Sequence, residues 1–181
     1  MKKFTRAFRL PRMPTLLLLV LLSAGCQTLF AQSKYVKKYR PLADSLSQVY
    51  GVPTSIILGV AILESGSGTS RNCKLLHNHF GMVGKNNLLK TQHIKTRYKQ
   101  YPDSLASYVD FCRLMTKKKF YKHLKDNKDY TLWVEAISAS GYSEIPVYWS
   151  EKVLETIRKN KLAVPRKMDA KALSSNGPRV Y

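Results

Sequence analysis

The stretch IILGVAIL, residues 56–63, carries no polar side chain on any side. Pro53 precedes it with Thr54 and Ser55 in the first turn, and Gly66 follows it, which are the start and stop signals of a helix. A helix that is apolar all round has no face to offer water, so it belongs at the centre of a domain with other segments wrapped around it. The 181 residues suffice for one such core plus appendages.

The wrapping segments are legible as helices. Lys34 to Tyr50 places Tyr35, Val36, Tyr39, Leu42, Leu46 and Val49 at near-helical spacing before Gly51. Asp103 opens another through SLASYVDFCRLM, with Leu105, Tyr108, Val109, Cys112 and Met115 on one face. Further helices are expected over Phe120 to Asp126, over Tyr130 to Ser140 ending at Gly141, and over Pro146 to Lys159, the last opened by its proline. Gly66 to Asn87 reads as loop around a short NHFGMVG segment. His93 to Tyr101 alternates in part with period two, as a small hairpin or extended piece does. The fold class is mainly α (α+β) with a small β-hairpin or extended lobe.

The ends differ from the middle. Residues 1–31 open with MKKFTRAFRLPRMP, five positive charges and no acid, followed by the apolar TLLLLVLLSAG. That is the pattern of an export signal, too short for a comfortable membrane span. Cleavage after Ala31 and lipoprotein processing before Cys26, which would make residues 1–25 the leader and Cys26 a membrane tether, both fit. An exported protein in the periplasm or outside the cell, or a lipoprotein of the outer membrane, is the expectation. Residues 32–165 form the expected folded domain, and the basic tail 166–181 has too few core residues to fold.

The formal charge is +20, and the leader's five charges leave +15 on the remainder. Such a balance favours anionic surroundings. Export argues against nucleic acid, and runs such as Lys117-Lys118-Lys119 also read simply as solvated helix faces. Cys73 and Cys112 either pair in an oxidising compartment or stay as two structural thiols. Neither a metal nor a cofactor is expected, because His77, His79, His93 and His123 stand in separate contexts and no zinc spacing occurs. A monomer is expected.

The residue that asks for a function is Glu64, at the end of the apolar helix. It shares a face with Ile57, Val60 and Ala61 at offsets of seven, four and three. Desolvation by these neighbours and the negative end of the helix dipole both push a carboxyl toward its protonated form, the form a general acid needs. The competing role is structural, with Glu64 accepting amide hydrogen bonds from Ser67 to Ser70.

ILESGSGTS, then Asn78-His79-Phe80-Gly81-Met82, then YPDSLASYVDF, and finally SGYSEIPVYWSEKV occur in an order and at spacings that resemble glycoside hydrolase family 73 over roughly Lys34 to Leu162. These are peptidoglycan endo-β-N-acetylglucosaminidases of lysozyme-like fold, among them the flagellar-rod wall hydrolase and autolysins. The resemblance implies Glu64 as catalytic acid and Tyr142 as an aromatic catalytic position. It also implies substrate-binding positions at Phe80, which shapes the cleft floor, at Asn78 of the same NHFG segment and at Tyr148; Glu144 is a further substrate-binding candidate from its place beside Tyr142 and Pro146. The implied partner is the glycan strand of peptidoglycan.

The departures bear on mechanism. Many family members carry a second acid on the hairpin, yet no Asp or Glu lies between Glu64 and Asp103. The family's SxxDY aspartate is Ser107, and the aspartate of GYATDP is Ile145. Asp103, Asp110, Glu135 and Glu144 remain as sources of a second carboxylate, or the substrate's own 2-acetamido group does that work beside Tyr142. A lytic transglycosylase, which also uses one Glu, and a non-catalytic wall-binding or assembly module are the rival readings.

Overall fold

The computed structural model describes residues 34–163. Helix α1 spans 34–50, and α2 (Thr54–Ser65), α3 (Arg71–Leu76), α4 (Leu88–Gln92), α5 (Ser104–Thr116), α6 (Tyr121–Leu124), α7 (Tyr130–Ala139) and α8 (Pro146–Lys159) follow. The expected export signal, Cys26 and the tail 166–181 lie outside the described residues. No helix among the described residues is long and apolar enough to cross a membrane.

The apolar helix is central, as its composition requires. Ile56, Ile57, Leu58, Val60 and Ala61 of α2 are wholly inaccessible. Burial of each large aliphatic side chain stabilises by about 1.5–3 kcal/mol, far more than helix propensity contributes per residue. Around α2 stand Tyr35, Tyr39 and Leu46 of α1, Tyr108, Phe111 and Met115 of α5, Trp133 and Ile137 of α7, and Trp149, Val153 and Ile157 of α8. Helix α8 crosses α2 at Gly59, where a Cβ would stand 2.6 Å from Ile157 Cγ1. The small residue in the middle of α2 is therefore what lets the two helices meet.

The mainly α reading is borne out, with local corrections. The Gly66–Asn87 stretch is not all loop: Ser70 Oγ accepts from the Cys73 amide and starts α3. Helices α3 and α4 have 6 and 5 residues, too few for a 3.6-residue period to register. The extended lobe is real but minimal, an antiparallel bridge between Val83 and Tyr98 flanked by Gly84 N–H to Arg97 O at 3.0 Å and Lys99 N–H to Met82 O at 2.8 Å. On α5, Leu105 is 51% exposed and not core, whereas Phe111 and Ser107 are buried. Ser107 Oγ accepts from the His79 amide at 3.0 Å, which explains a hydroxyl at a buried position. Helix α6 keeps only the Tyr121–Leu124 part of the expected Phe120–Asp126.

The cysteine alternatives resolve to two buried free thiols. Burial pushes the Cys112 thiol up to about 12 and Cys73 up to about 11, so both are poor nucleophiles at neutral pH.

Candidate active site

Glu64 is the penultimate residue of α2, and the left-handed Gly66 ends the helix there (φ 56°), its N–H closing on Ile62 and Leu63 carbonyls. The amides once free to be capped by Glu64 have other acceptors. Ser67 N–H donates to Ile62 O, Thr69 N–H to Gly66 O, Ser70 N–H to Ser65 O and Gly68 N–H to Ser65 Oγ. The structural role is thus corrected: the cap belongs to Ser65, and Glu64 is left facing a cleft.

That cleft has a volume of about 680 Å³ and is lined by Glu64, residues 80–83, Arg97, Tyr98, Leu114, Lys118 and residues 141–145. Glu64 Oε1 accepts a hydrogen bond from Trp149 Nε1 at 2.7 Å. Beside Oε2 stands Gly81, where a Cβ would lie 3.2 Å away. Burial raises the Glu64 carboxyl above its ordinary value, and the indole N–H partly opposes this because it favours the ionised form. The result is an acid biased toward holding its proton at the edge of an open groove.

Tyr142 closes one side. Its hydroxyl donates to Phe80 O at 2.8 Å, and its ring lies 5.3 Å from that of Trp149. Burial, and secondarily the Glu64 charge, hold the phenol far above its ordinary value, so it stays neutral. Phe80 stacks on Phe111 with ring centroids 4.3 Å apart, so its ring serves the core while its backbone edges the cleft. Glu144 also lines the cleft, with a side chain 87% exposed and an ion pair to Arg97 at 3.3 Å.

Glu64, Phe80, Tyr142 and Glu144 are therefore brought together, and two other sequence candidates are not. Asn78 Nδ2 donates to Met82 O and Lys99 O, and its Oδ1 accepts from the Phe80 and Met82 amides. All four positions of the side chain are engaged, so Asn78 pegs the NHFG turn to the extended lobe and has no capacity left for a sugar. Tyr148 is 56% exposed and stands outside the cleft lining, because the turn of α8 that points Trp149 inward points Tyr148 outward.

Trp149, Gly81, Arg97 and Lys118 were not singled out by sequence reasoning. Trp149, Val153 and Ile157 recur every four residues on α8, which reads as ordinary core. The available signal was chemical: a buried indole N–H needs an acceptor.

A family model described as Glucosaminidase, mannosyl-glycoprotein endo-beta-N-acetylglucosaminidase, matches residues 40–162. The chain belongs to this family. It is accordingly a glycoside hydrolase, and the matched span carries every cleft residue named above. Solved structures agree on the fold. The glycoside hydrolase domain from Salmonella typhimurium FlgJ superposes with a TM-score of 0.56 at 23% identity, over 80% of this chain and 94% of that one. A C-terminally truncated form of that domain gives 0.58 at 21%, over 74% and 99%. A chain of a type VI secretion system effector–immunity complex from Pseudomonas protegens gives 0.54 at 19%, over 72% and 93%. No curated protein matches the chain.

For this glucosaminidase-family cleft, Gly81→Ala tests how much the close approach to Glu64 matters. Gly81 has φ +64°, a conformation that costs an alanine roughly 1–2 kcal/mol, and the new methyl would press on Oε2. The expected outcome is a melting temperature lower by roughly 3–6 °C and a kcat lower by about tenfold, within the range misplacement of a reacting group produces. Melting curves and turnover on the same preparation check both.

Proposed function

We propose that the protein hydrolyses the glycan backbone of peptidoglycan on the reducing side of N-acetylglucosamine, with Glu64 as general acid. The observation that carries this is Glu64 itself, its carboxyl raised above the ordinary value by burial, tethered by Trp149 and open to a groove of about 680 Å³. Family membership supplies the reaction class. The motif pattern and the export-signal pattern of residues 1–31 support a wall substrate outside the cytoplasm, with the processing alternatives at Ala31 and Cys26 deciding whether the protein is released or tethered.

In this reading protonated Glu64 gives its proton to the leaving glycosidic oxygen as the bond to C1 breaks. The carbonyl oxygen of the substrate's 2-acetamido group closes on C1 and shares the oxocarbenium charge. Tyr142, whose proton is already donated to Phe80 O, offers its oxygen lone pair to the acetamido N–H. Water then opens the cyclic intermediate while the Glu64 carboxylate accepts its proton.

The remaining carboxylates support this assignment. Asp103 caps α5, Asp110 is held by Lys99 and Tyr101 at 2.7 Å each, and Glu135 is exposed on α7. Glu144 alone of the four lines the cleft, and that observation sustains a second reading in which it activates the water. Under the first reading Glu144→Gln keeps kcat within about threefold, whereas a true second carboxylate would cost at least about 10²-fold. Initial rates on purified peptidoglycan separate the two.

Mass spectrometry of the soluble products tests the whole proposal. Reducing N-acetylglucosamine ends are expected. Anhydro-muramyl ends would reassign the enzyme as a lytic transglycosylase, and wall binding without any product would make it a non-catalytic module.

A further inference from the structure

Two chain segments meet at the Glu64 carboxyl, the end of α2 and the NHFG turn. A Cβ added to Gly81 of that turn would lie 3.2 Å from Glu64 Oε2, and the carbonyl of Phe80 takes the Tyr142 proton. The separation of the two segments therefore sets both how dry the carboxyl is and where the Tyr142 hydroxyl is held. Asn78 ties the turn to the extended lobe through Met82 O and Lys99 O, which does not refer it to the helix that carries Glu64.

Behind the cleft that reference is made by a buried polar cluster. Ser65 follows Glu64 and His79 precedes Phe80, and both side chains are buried. They meet at the hydroxyl of Tyr35 on α1, with His79 Nδ1 at 2.7 Å and Ser65 Oγ at 3.4 Å. The Tyr35 ring also seats the turn after α2, since a Cβ on Gly68 would stand 3.1 Å from its Cδ2 and Cε2. From the other side α5 grips His79: Nε2 is 2.9 Å from Ser104 Oγ, and the backbone N–H donates to Ser107 Oγ at 3.0 Å. Tyr108 Oη, 2.9 Å from Tyr35 Oη, completes the cluster. Burial first, then the Lys38 charge, pulls the His79 imidazole down to about 4, so at neutral pH one ring nitrogen donates and the other accepts. Stacking of the Phe80 ring on Phe111 anchors the turn too, but apolar contact is non-directional, whereas these hydrogen bonds fix the turn's orientation and depth.

We infer that His79 is a positioning residue for the reaction: held by Tyr35 and Ser104, it keeps the Phe80–Gly81 backbone against Glu64 from behind, without touching substrate. Neither His79 nor Tyr35 lines the cleft. The inference rests on the proposed function for the roles of Glu64 and Tyr142. Without this peg the turn can back away from Oε2 and admit water beside the carboxyl. Glu64 then loses part of the desolvation that raises it, and Tyr142 loses its fixed acceptor.

Carbon NMR titration of the glutamate carboxyls tests it, with the Glu64 signal assigned by its absence in Glu64→Gln. The parent is compared with His79→Leu, with Tyr35→Phe, and with Ile137→Val as a control for lost packing in the α7 core. Tyr142 and Trp149, which face Glu64, do not change charge over pH 3 to 8, and Arg97, Lys118 and Glu144 of the cleft are common to all four proteins. Loss of the His79 charge itself would raise the Glu64 midpoint, opposite to the expected change. In His79→Leu the midpoint should fall toward 4.5 by about half a pH unit, in Tyr35→Phe it should fall by less, and in Ile137→Val it should stay. On purified peptidoglycan, kcat of His79→Leu should fall about tenfold with KM within about twofold. An unmoved midpoint in either folded variant, an equal fall in Ile137→Val, or a raised KM at unchanged kcat overturns the inference. Should His79→Leu fail to fold, Tyr35→Phe decides, because it removes one oxygen and keeps the ring on Gly68. The titration needs no turnover, so a parent that cleaves no glycan would sink the proposed function and leave the positioning result standing.

Discussion

Glu64→Gln is expected to lower the release of soluble glycan fragments by at least about 10³-fold, within the range that loss of a general acid produces, while raising the melting temperature at pH 7. Both halves come from the same burial. Glutamine is isosteric, and its oxygen still accepts from Trp149 Nε1, now 2.7 Å from Glu64 Oε1. It has no acidic proton to give the leaving oxygen. The folded state holds the Glu64 carboxyl above the ordinary 4.5. A raised carboxylic acid stabilises the fold fully below 4.5 and loses that contribution as pH rises through the folded value, because the unfolded chain ionises more readily. At pH 7 the parent therefore carries a penalty that glutamine lacks. The variant's thermal advantage should be present at pH 7 and should close as pH falls below 4.5. Denaturation scans from pH 3 to 8 beside turnover measurements check the pair, and a variant that retains activity removes Glu64 from the chemistry.

The parts of this protein visible in the sequence are those governed by local rules. Helix α2 announced itself by its all-apolar composition, and α8 runs over the Pro146–Lys159 expected from the proline at its start. Helix α1 covers the expected 34–50. Glu64 stood out because a carboxylate on an apolar face demands an explanation. What stayed hidden depends on tertiary approach. The tether from Trp149 joins residues 85 positions apart, and a tryptophan at core spacing gives no hint of which acceptor it meets. Asn78 looked like a cleft residue because it begins the NHFG element, but its amide is consumed by backbone groups up to 21 positions away. Tyr148 and Trp149 are adjacent in sequence, and only the packing of α8 on α2 decides which of the two turns inward. Arg97 reaching across to Glu144 was likewise invisible, since no helical or strand spacing links positions 47 apart.

Trp149→Phe should lower kcat by about 10²-fold and shift the alkaline limb of the activity profile to higher pH. Phenylalanine keeps an aromatic ring against Tyr142, whose centroid lies 5.3 Å from the indole, so the buried position loses little volume. It removes the N–H that fixes Oε1. A reacting group released by about an ångström from its productive position can cost about 10²-fold in rate, which sets the expected fall in kcat. The pH effect has a definite sign. The indole hydrogen bond lowers the Glu64 value against the larger raising effect of burial, so removing it leaves burial less opposed and the acid keeps its proton to higher pH. General-acid activity disappears as Glu64 ionises; hence the falling limb of kcat/KM moves up, not down. A purely structural role for Trp149 would reduce stability and the fraction of active enzyme without moving that limb. An unmoved or downward-moving limb, in a variant shown by circular dichroism to be folded, would mean that Trp149 packs the core beside Glu64 without tuning its acidity.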